Sequence, residues 1–370
     1  MPTPLENLHP GDLPAPKKPK LWHSLLLGGV LGLVLITLDL GLLLKVSSLT
    51  LLLLIPGWYL SVAIHEGGHF LAAIAVGHRV TAYSVGWLLI AREQSGWKLR
   101  RSHYPLAGYV LALPDWTKNL RLRHAIVVAA GPAATLLLLL ATIGLGRRID
   151  GPVQALTGAI GSWAACQLAL FVFPSRTLLM TDQKQLKVLA SNGQDCKRHL
   201  ANLSLLAMSG QGVRPRDYPE SLALMGCDGA LDTGLLITAR VCRYNHCADS
   251  GKLEVAEADL AWIIQQNMDP MARAIWRAEV VWFAAYHRKD AALAWKWSEA
   301  GSGREPPAVR YARLKAESAL AMVELRYVDA IRLITEARGI VNPAEAGIEI
   351  ATTEALDQMC AESVENSPRP

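Results

Sequence analysis

The chain has 370 residues, 51% of them hydrophobic, and carries 37 basic against 32 acidic side chains for a formal net charge of +5. That length predicts two or three structural units, and so small a charge argues against a nucleic-acid partner, leaving the basic residues beside apolar segments as topology signals. Mean hydropathy is +0.22, and the apolar excess lies in residues 21–190, while 191–370 reads as a soluble domain.

Residues 1–20 hold prolines 2, 4, 10, 14, 16 and 19 with Lys17, Lys18 and Lys20, which predicts a disordered basic tail. The apolar run Leu21–Leu44 is longer than a signal-peptide core and has no small-residue cleavage site after it, so it reads as a retained span. Asp39, near its far end, reads as an interfacial carboxylate. Three more spans follow at Leu51–Val76, with Pro56-Gly57 as an expected kink, Arg123–Gly146 and Pro152–Phe173. Small residues such as Gly131, Ala133, Ala134, Gly158 and Gly161 suit close helix packing. The intervening loop 77–122 carries Arg79, Arg92, Lys98, Arg100, Arg101, Lys118 and Arg121 against Glu93 and Asp115, which places it in the cytosol. The tail then shares that side, and the fourth span returns the C-terminal domain to it. Within the loop, Tyr83–Arg92 and Trp97–Arg101 flank Gln94-Ser95-Gly96 as a β-hairpin. The apolar segment Pro105–Leu111 is too short to span and reads as an element dipping into the membrane. The six cysteines form no CxxC pair, and Cys242, His246 and Cys247 have no second half of a metal site, so they read as reduced structural residues.

The chemistry concentrates in His65-Glu66-Gly67-Gly68-His69. Residues four apart share a helix face, so the two imidazoles can converge on one zinc ion with Glu66 beside them as a base. Zinc lowers the pKa of a bound water to about 7, which makes a nucleophile available at neutral pH. A catalytic zinc keeps three protein ligands and one open position, so a further ligand must come from elsewhere in the chain. Two histidines and a glutamate inside an apolar span are costly, which argues against an accidental polar patch.

The sequence resembles the site-2 protease family of intramembrane zinc metallopeptidases over roughly residues 50–190. HEGGH in a span, the loop segment PLAGYV, GPAAT in the next span, and Pro174 followed by Asp182 in FPSRTLLMTDQ occur in the family's order. The resemblance implies that Asp182 is the third zinc ligand, and that a substrate strand is held extended along the sheet edge around Gly108, Tyr109 and Val110. Two positions depart from the family: its asparagine is Phe171 here, and its glycine after the aspartate is Gln183. Gln167, one helical turn before Phe171, and Gln183 are candidate replacement amides.

In residues 230–370, Arg277–Gly301 aligns without gaps to Lys315–Gly339 at a period of 38, matching Ala292 with Ala330 and Leu293 with Ile331. Such a period resembles tetratricopeptide-like helical hairpins, which stack with a concave face suited to a protein partner; a generic helical bundle is the alternative. The expected architecture is therefore an all-α integral membrane protein of about four transmembrane helices with a short membrane-associated β-hairpin or re-entrant loop, plus a cytosolic helical-repeat domain. Its units are the tail 1–20, a membrane metallopeptidase domain 21–190, an irregular linker 191–229 and the repeat domain 230–370. The expected function is zinc-dependent hydrolysis of peptide bonds in or near transmembrane segments of other membrane proteins, at the cell (inner) membrane with both termini cytoplasmic. The alternatives are a catalytically impaired relative acting as a membrane-bound adaptor, and a zinc transporter or sensor, which has no need of Glu66 in a base position.

Overall fold

The computed structural model describes residues 5–14, 53–93, 96–102, 108–114, 119–172, 181–227, 233–298, 305–340 and 347–366. The predicted first span Leu21–Leu44, with Asp39, lies outside them. The chain divides into two compact units, Lys20–Ser204 and Met1–Pro19 with Leu205–Pro370.

In the first unit, α1 (Leu54–Ala75) packs against both α2 (Leu120–Gly146) and α3 (Pro152–Val172). Helices α2 and α3 are long and apolar enough to cross a membrane. Pro56 falls in the first turn of α1, where its missing N–H has no helical partner to lose, so it opens the helix and produces no interior kink. The Trp163 indole N–H on α3 donates to the Leu54 carbonyl at 2.9 Å, tying α3 to the start of α1.

Four strands follow α1: β1 (Arg79–Val85), β2 (Leu88–Glu93), β3 (Gly96–Arg101) and β4 (Gly108–Leu113). They form one antiparallel sheet in the order β3-β2-β1-β4. Tyr83 of β1 thus faces Ile90 on one side and Val110 on the other. The predicted hairpin forms as β2 and β3 within a mostly helical chain; the re-entrant reading of the apolar segment is corrected, since its residues from Gly108 onward form an edge strand, as the family resemblance implies. A short apolar run has no period that separates the two outcomes, and pairing with β1 satisfies its backbone within the protein. The sheet is fastened to α1 by the Tyr83 hydroxyl, which donates to the Ala63 carbonyl at 2.8 Å, and by Val80, Val110 and Ala112 packed with Phe70, Ala73 and Val127.

The predicted irregular linker is helical. Helix α4 (Asp182–Ser191) closes the preceding segment, and α5 (Gln194–Gly210) and α6 (Glu220–Met225) lie within the predicted linker 191–229. The division between the units falls inside α5, between Ser204 and Leu205. Its Cys196 and Leu200 pack with Val128 and Leu189, whereas Leu205 and Met208 pack with Tyr218, Ala223 and Cys242.

The second unit continues with α7 (Thr233–Asp249), α8 (Leu253–Ile264), α9 (Pro270–Trp282) ending in a π-helical segment Phe283–His287, α10 (Ala291–Trp297), α11 (Pro307–Val323), α12 (Tyr327–Ile340) and α13 (Gly347–Asn366). Successive helices pack in pairs around a core that includes Leu260, Ile263, Val280, Phe283, Trp297, Leu320 and Ile334. Asp259, fully buried on α8, is neutralised by Arg240 at 3.0 Å and Arg243 at 2.7 Å, which makes its burial tolerable. The period of 38 holds for the first helices: Val281 and Trp282 are buried like Ala319 and Leu320. It fails for the second helices, which begin at Ala291 and Tyr327, 36 residues apart. Lys289 and Leu325 are the matching left-handed residues before them, and buried Ala294 and Trp297 correspond to Ala330 and Leu333. Ala292 is therefore exposed while Ala330 is buried, and the predicted pairs do not correspond. The earlier copy has two more residues between its buried first helix and its second helix, and the π-helical segment Phe283–His287 lies in that stretch.

The tail also departs from the disordered expectation. Leu5–Asn7 and Pro10–Asp12 form two 3-10 turns, and Leu5 is fully buried in the second unit's core. Burial of one leucine contributes roughly 2 kcal/mol, which a proline-rich composition does not reveal. All six cysteines are free thiols, and His246 Nδ1 donates to the Pro215 carbonyl at 2.7 Å.

Candidate metal centre

Three donor atoms converge between α1, α2 and α4: His65 Nε2, His69 Nε2 and an Asp182 carboxylate oxygen. The separations are 3.3 Å between the two imidazole nitrogens and 3.2 Å from each to Asp182 Oδ2. Four ligands at 2.0–2.1 Å around a tetrahedral zinc stand about 3.3 Å apart, so the triangle matches one face of that tetrahedron. The side chains keep 19% and 25% exposure at His65 and Asp182, enough for water to reach the fourth position.

The imidazoles are held in the tautomer that a metal needs. His69 Nδ1 lies 2.7 Å from the Val127 carbonyl, an acceptor only, so Nδ1 carries the proton and Nε2 presents its lone pair. His65 Nδ1 lies 2.8 Å from the Thr135 hydroxyl, which itself donates to the Gly131 carbonyl at 3.1 Å and so accepts from His65. Two imidazole lone pairs facing each other repel unless a cation or proton lies between them. Outer hydrogen bonds of this kind orient metal-ligating histidines.

Close approach of α2 depends on Gly131. A Cβ there would stand 2.2 Å from His69 Nε2, so any side chain would displace the imidazole. Asp182 is positioned at the first residue of α4, after Thr181, whose hydroxyl accepts from the Lys184 N–H at 3.4 Å. Helix α4 is pinned to α2 by Arg121, which donates to the Leu189 and Ala190 carbonyls at 2.6 and 3.2 Å, and by His124 Nε2 at 3.2 Å from Gln185 Oε1.

Glu66 is buried and stands outside the donor triangle while sharing the electrostatic environment of His65, His69 and Asp182. Its neighbour is β4: a Cβ on Gly108 would lie 2.6 Å from Glu66 Cγ and from Val62 Cγ1. The strand can therefore begin against the carboxylate only because residue 108 has no side chain. Tyr109 and Val110 follow on that strand, opposite Ser84 and Tyr83. The two candidate amides are engaged by the fold. Gln167 Oε1 accepts from the Ser61 hydroxyl at 3.1 Å, and Gln183 donates to the Val172 carbonyl at 2.8 Å. Sequence reasoning missed Thr135, Gly131, Ser61 and Arg121 as parts of the site. GPAAT carried the signal for two of them, since Gly131 and Thr135 stand four apart on one face of α2.

An HExxH helix and a distant aspartate thus gather the donor set that a metallopeptidase site requires, beside helices apolar enough to span a membrane. The model of peptidase family M50, the site-2 protease family, matches residues 53–359, and the chain belongs to that family. No curated protein and no solved structure matches it. Peptidases of this family are membrane-embedded and zinc-dependent as a class.

Proposed function

We propose that the chain is an intramembrane zinc endopeptidase that cleaves other membrane proteins in or near a transmembrane segment. The observation that carries this reading is the 3.2–3.3 Å donor triangle with Glu66 beside it. His65, His69 and Asp182 would hold the zinc, and their donor set of two neutral imidazoles and a carboxylate fits that metal. Zinc bound there supplies Lewis acidity that polarises the scissile carbonyl and acidifies water. Glu66 takes the proton of the attacking water and returns it to the departing amine. The outer edge of β4 receives the substrate as an added strand, with Gly108 bringing that strand past Glu66 and with Tyr109 and Val110 flanking it. Extended binding matters because a helical substrate hides its carbonyls in hydrogen bonds.

The engaged amides of Gln167 and Gln183 favour the impaired-adaptor alternative in one respect: neither stands in simply for the family asparagine that Phe171 replaces. The complete tetrad of His65, Glu66, His69 and Asp182 favours hydrolysis.

A parity argument supports the proposed topology. Residues 1–19 and 205–370 fold as one unit and so share a side of the membrane, which requires an even number of crossings between them. Helices α1, α2 and α3 would supply three, and Leu21–Leu44 the fourth. The basic residues of loop 77–122 support a cytosolic location for that shared side in a cell (inner) membrane protein. The paired helices then present a tetratricopeptide-like stack to a protein partner, in whose hollow of about 610 Å³ Tyr244, Trp276, Trp282 and Tyr286 stand with Glu279 and Lys315.

Reconstitution into vesicles with single-span substrate proteins tests the reading. Wild-type protein should release fragments cut within or beside the span, and Glu66→Gln should release none while keeping its zinc. Cleavage by Glu66→Gln at the wild-type rate would refute the mechanism.

A further inference from the structure

The N-terminal segment does more than precede the first apolar run. Leu5 is fully buried among residues of α8, α9 and the π-helical segment, and Leu8 and Leu13 lie partly buried against the same cluster. Polar groups fix the backbone between these anchors. The Leu5 N–H donates to Glu257 Oε1 at 3.3 Å, and Lys296 Nζ donates to the Glu6 carbonyl at 2.7 Å. The Glu6 carboxylate pairs with Arg288 at 2.7 Å, and Arg288 also donates to both Glu257 oxygens at 2.9 Å. The polar side chains that bond the segment, Glu257, Arg288 and Lys296, stand 252 to 290 positions away in sequence.

We propose that residues 5–13 are a strap: an intramolecular peptide ligand whose seat is the surface formed by Glu257, Arg288, Lys296 and the apolar cluster beneath them. The segment has the form of a docking peptide, with leucines at 5, 8 and 13, one acidic residue between the first two, and Pro10 stiffening the linker. It joins the soluble helical domain to the start of the apolar run at Leu21 with only residues 14–20 between. The domain is thus held at both ends of the chain: through α5 on one side, and through the strap on the other. A competing segment of the same chemistry, leucine-rich with an acidic residue, takes the seat only by releasing one of those two attachments. This device is independent of the peptidase chemistry.

The test uses the full chain purified in detergent, with and without residues 1–14, and a dye-labelled synthetic peptide of residues 1–14. The trimmed protein should bind the peptide saturably at one per chain, whereas the intact protein, its seat filled in cis, should bind it at least about tenfold more weakly. A Leu5→Asp peptide should bind the trimmed protein more than about 30-fold more weakly than the natural one. If trimming prevents folding, the intact protein carries the test through charge reversal. Glu6→Arg should speed proteolytic nicking at residues 14–20, and Glu6→Gln, which removes the charge without reversing it, should speed it less. A folded trimmed protein that does not bind the peptide, intact protein that binds it equally well, or nicking unchanged by Glu6→Arg would each overturn the proposal.

Discussion

His65 and His69 share a helix face by spacing alone, yet spacing does not decide which nitrogen of each ring is free. That decision rests with the Val127 carbonyl and the Thr135 hydroxyl, both on α2. Thr135→Val keeps the shape and removes the acceptor for His65 Nδ1–H. Zinc affinity should fall about 10–100-fold, read by competition with a chromogenic chelator; an unchanged affinity would mean that His65 needs no such support. Gly131→Ala should be more severe, because its Cβ would occupy the place of the His69 ring. Purified protein should then hold less than one zinc per chain. The histidine pair and Glu66 were legible in the sequence because their geometry is local to one helix. Gly131 was legible only as a packing residue and Thr135 only as part of GPAAT, since their roles toward the two histidines exist only where α2 crosses α1.

At the scale of elements, the site depends on two pieces brought to α1 from far along the chain. Asp182 could be singled out by resemblance alone, and what fixes it is the attachment of α4 to α2. Arg121→Ala removes two hydrogen bonds to the end of α4, at a cost of about 1–3 kcal/mol. The expected result is faster zinc release in a stopped-flow chelation assay with the fold otherwise kept. The second piece is β4, and Gly108→Val should crowd Glu66 and Val62, lowering kcat while zinc stays bound. The residues alone suggested an element dipping into the membrane, because an apolar run of that length carries no period, and only the family resemblance pointed to a sheet edge there. The repeat was misread for a related reason: a gapless alignment cannot register the two extra residues between the helices of the earlier copy, so it holds for the first helices and fails two residues out of step for the second. The strap was the least legible element, three leucines amid prolines whose partners stand at the other end of the chain.

For the whole molecule, acid should act on the helical domain before it acts through most carboxylates. Burial pushes His287, in the hollow beside Glu279 and Lys315, down to about 4 from 6.5. A histidine kept neutral by the fold binds fewer protons than in the unfolded chain between those pH values, so stability falls as pH drops from about 6.5 to about 4 and the loss is complete below that. Replacing it by glutamine should remove on the order of 2 kcal/mol of the acid sensitivity at pH 4.5, read as a smaller shift in the domain's unfolding midpoint. Topology is testable at the same scale: maleimide labelling of single cysteines at residues 7 and 254 should report one common side of the membrane. The central claim is that one zinc, held by His65, His69 and Asp182, makes this chain a peptidase. The most direct measurement is a zinc titration of chelator-stripped protein that follows substrate cleavage and bound metal together. Cleavage should be absent at the start, rise in proportion to bound zinc and reach its plateau at one zinc per chain. Stripped protein that cleaves at the full rate, or that fills with zinc and never cleaves, would contradict the account.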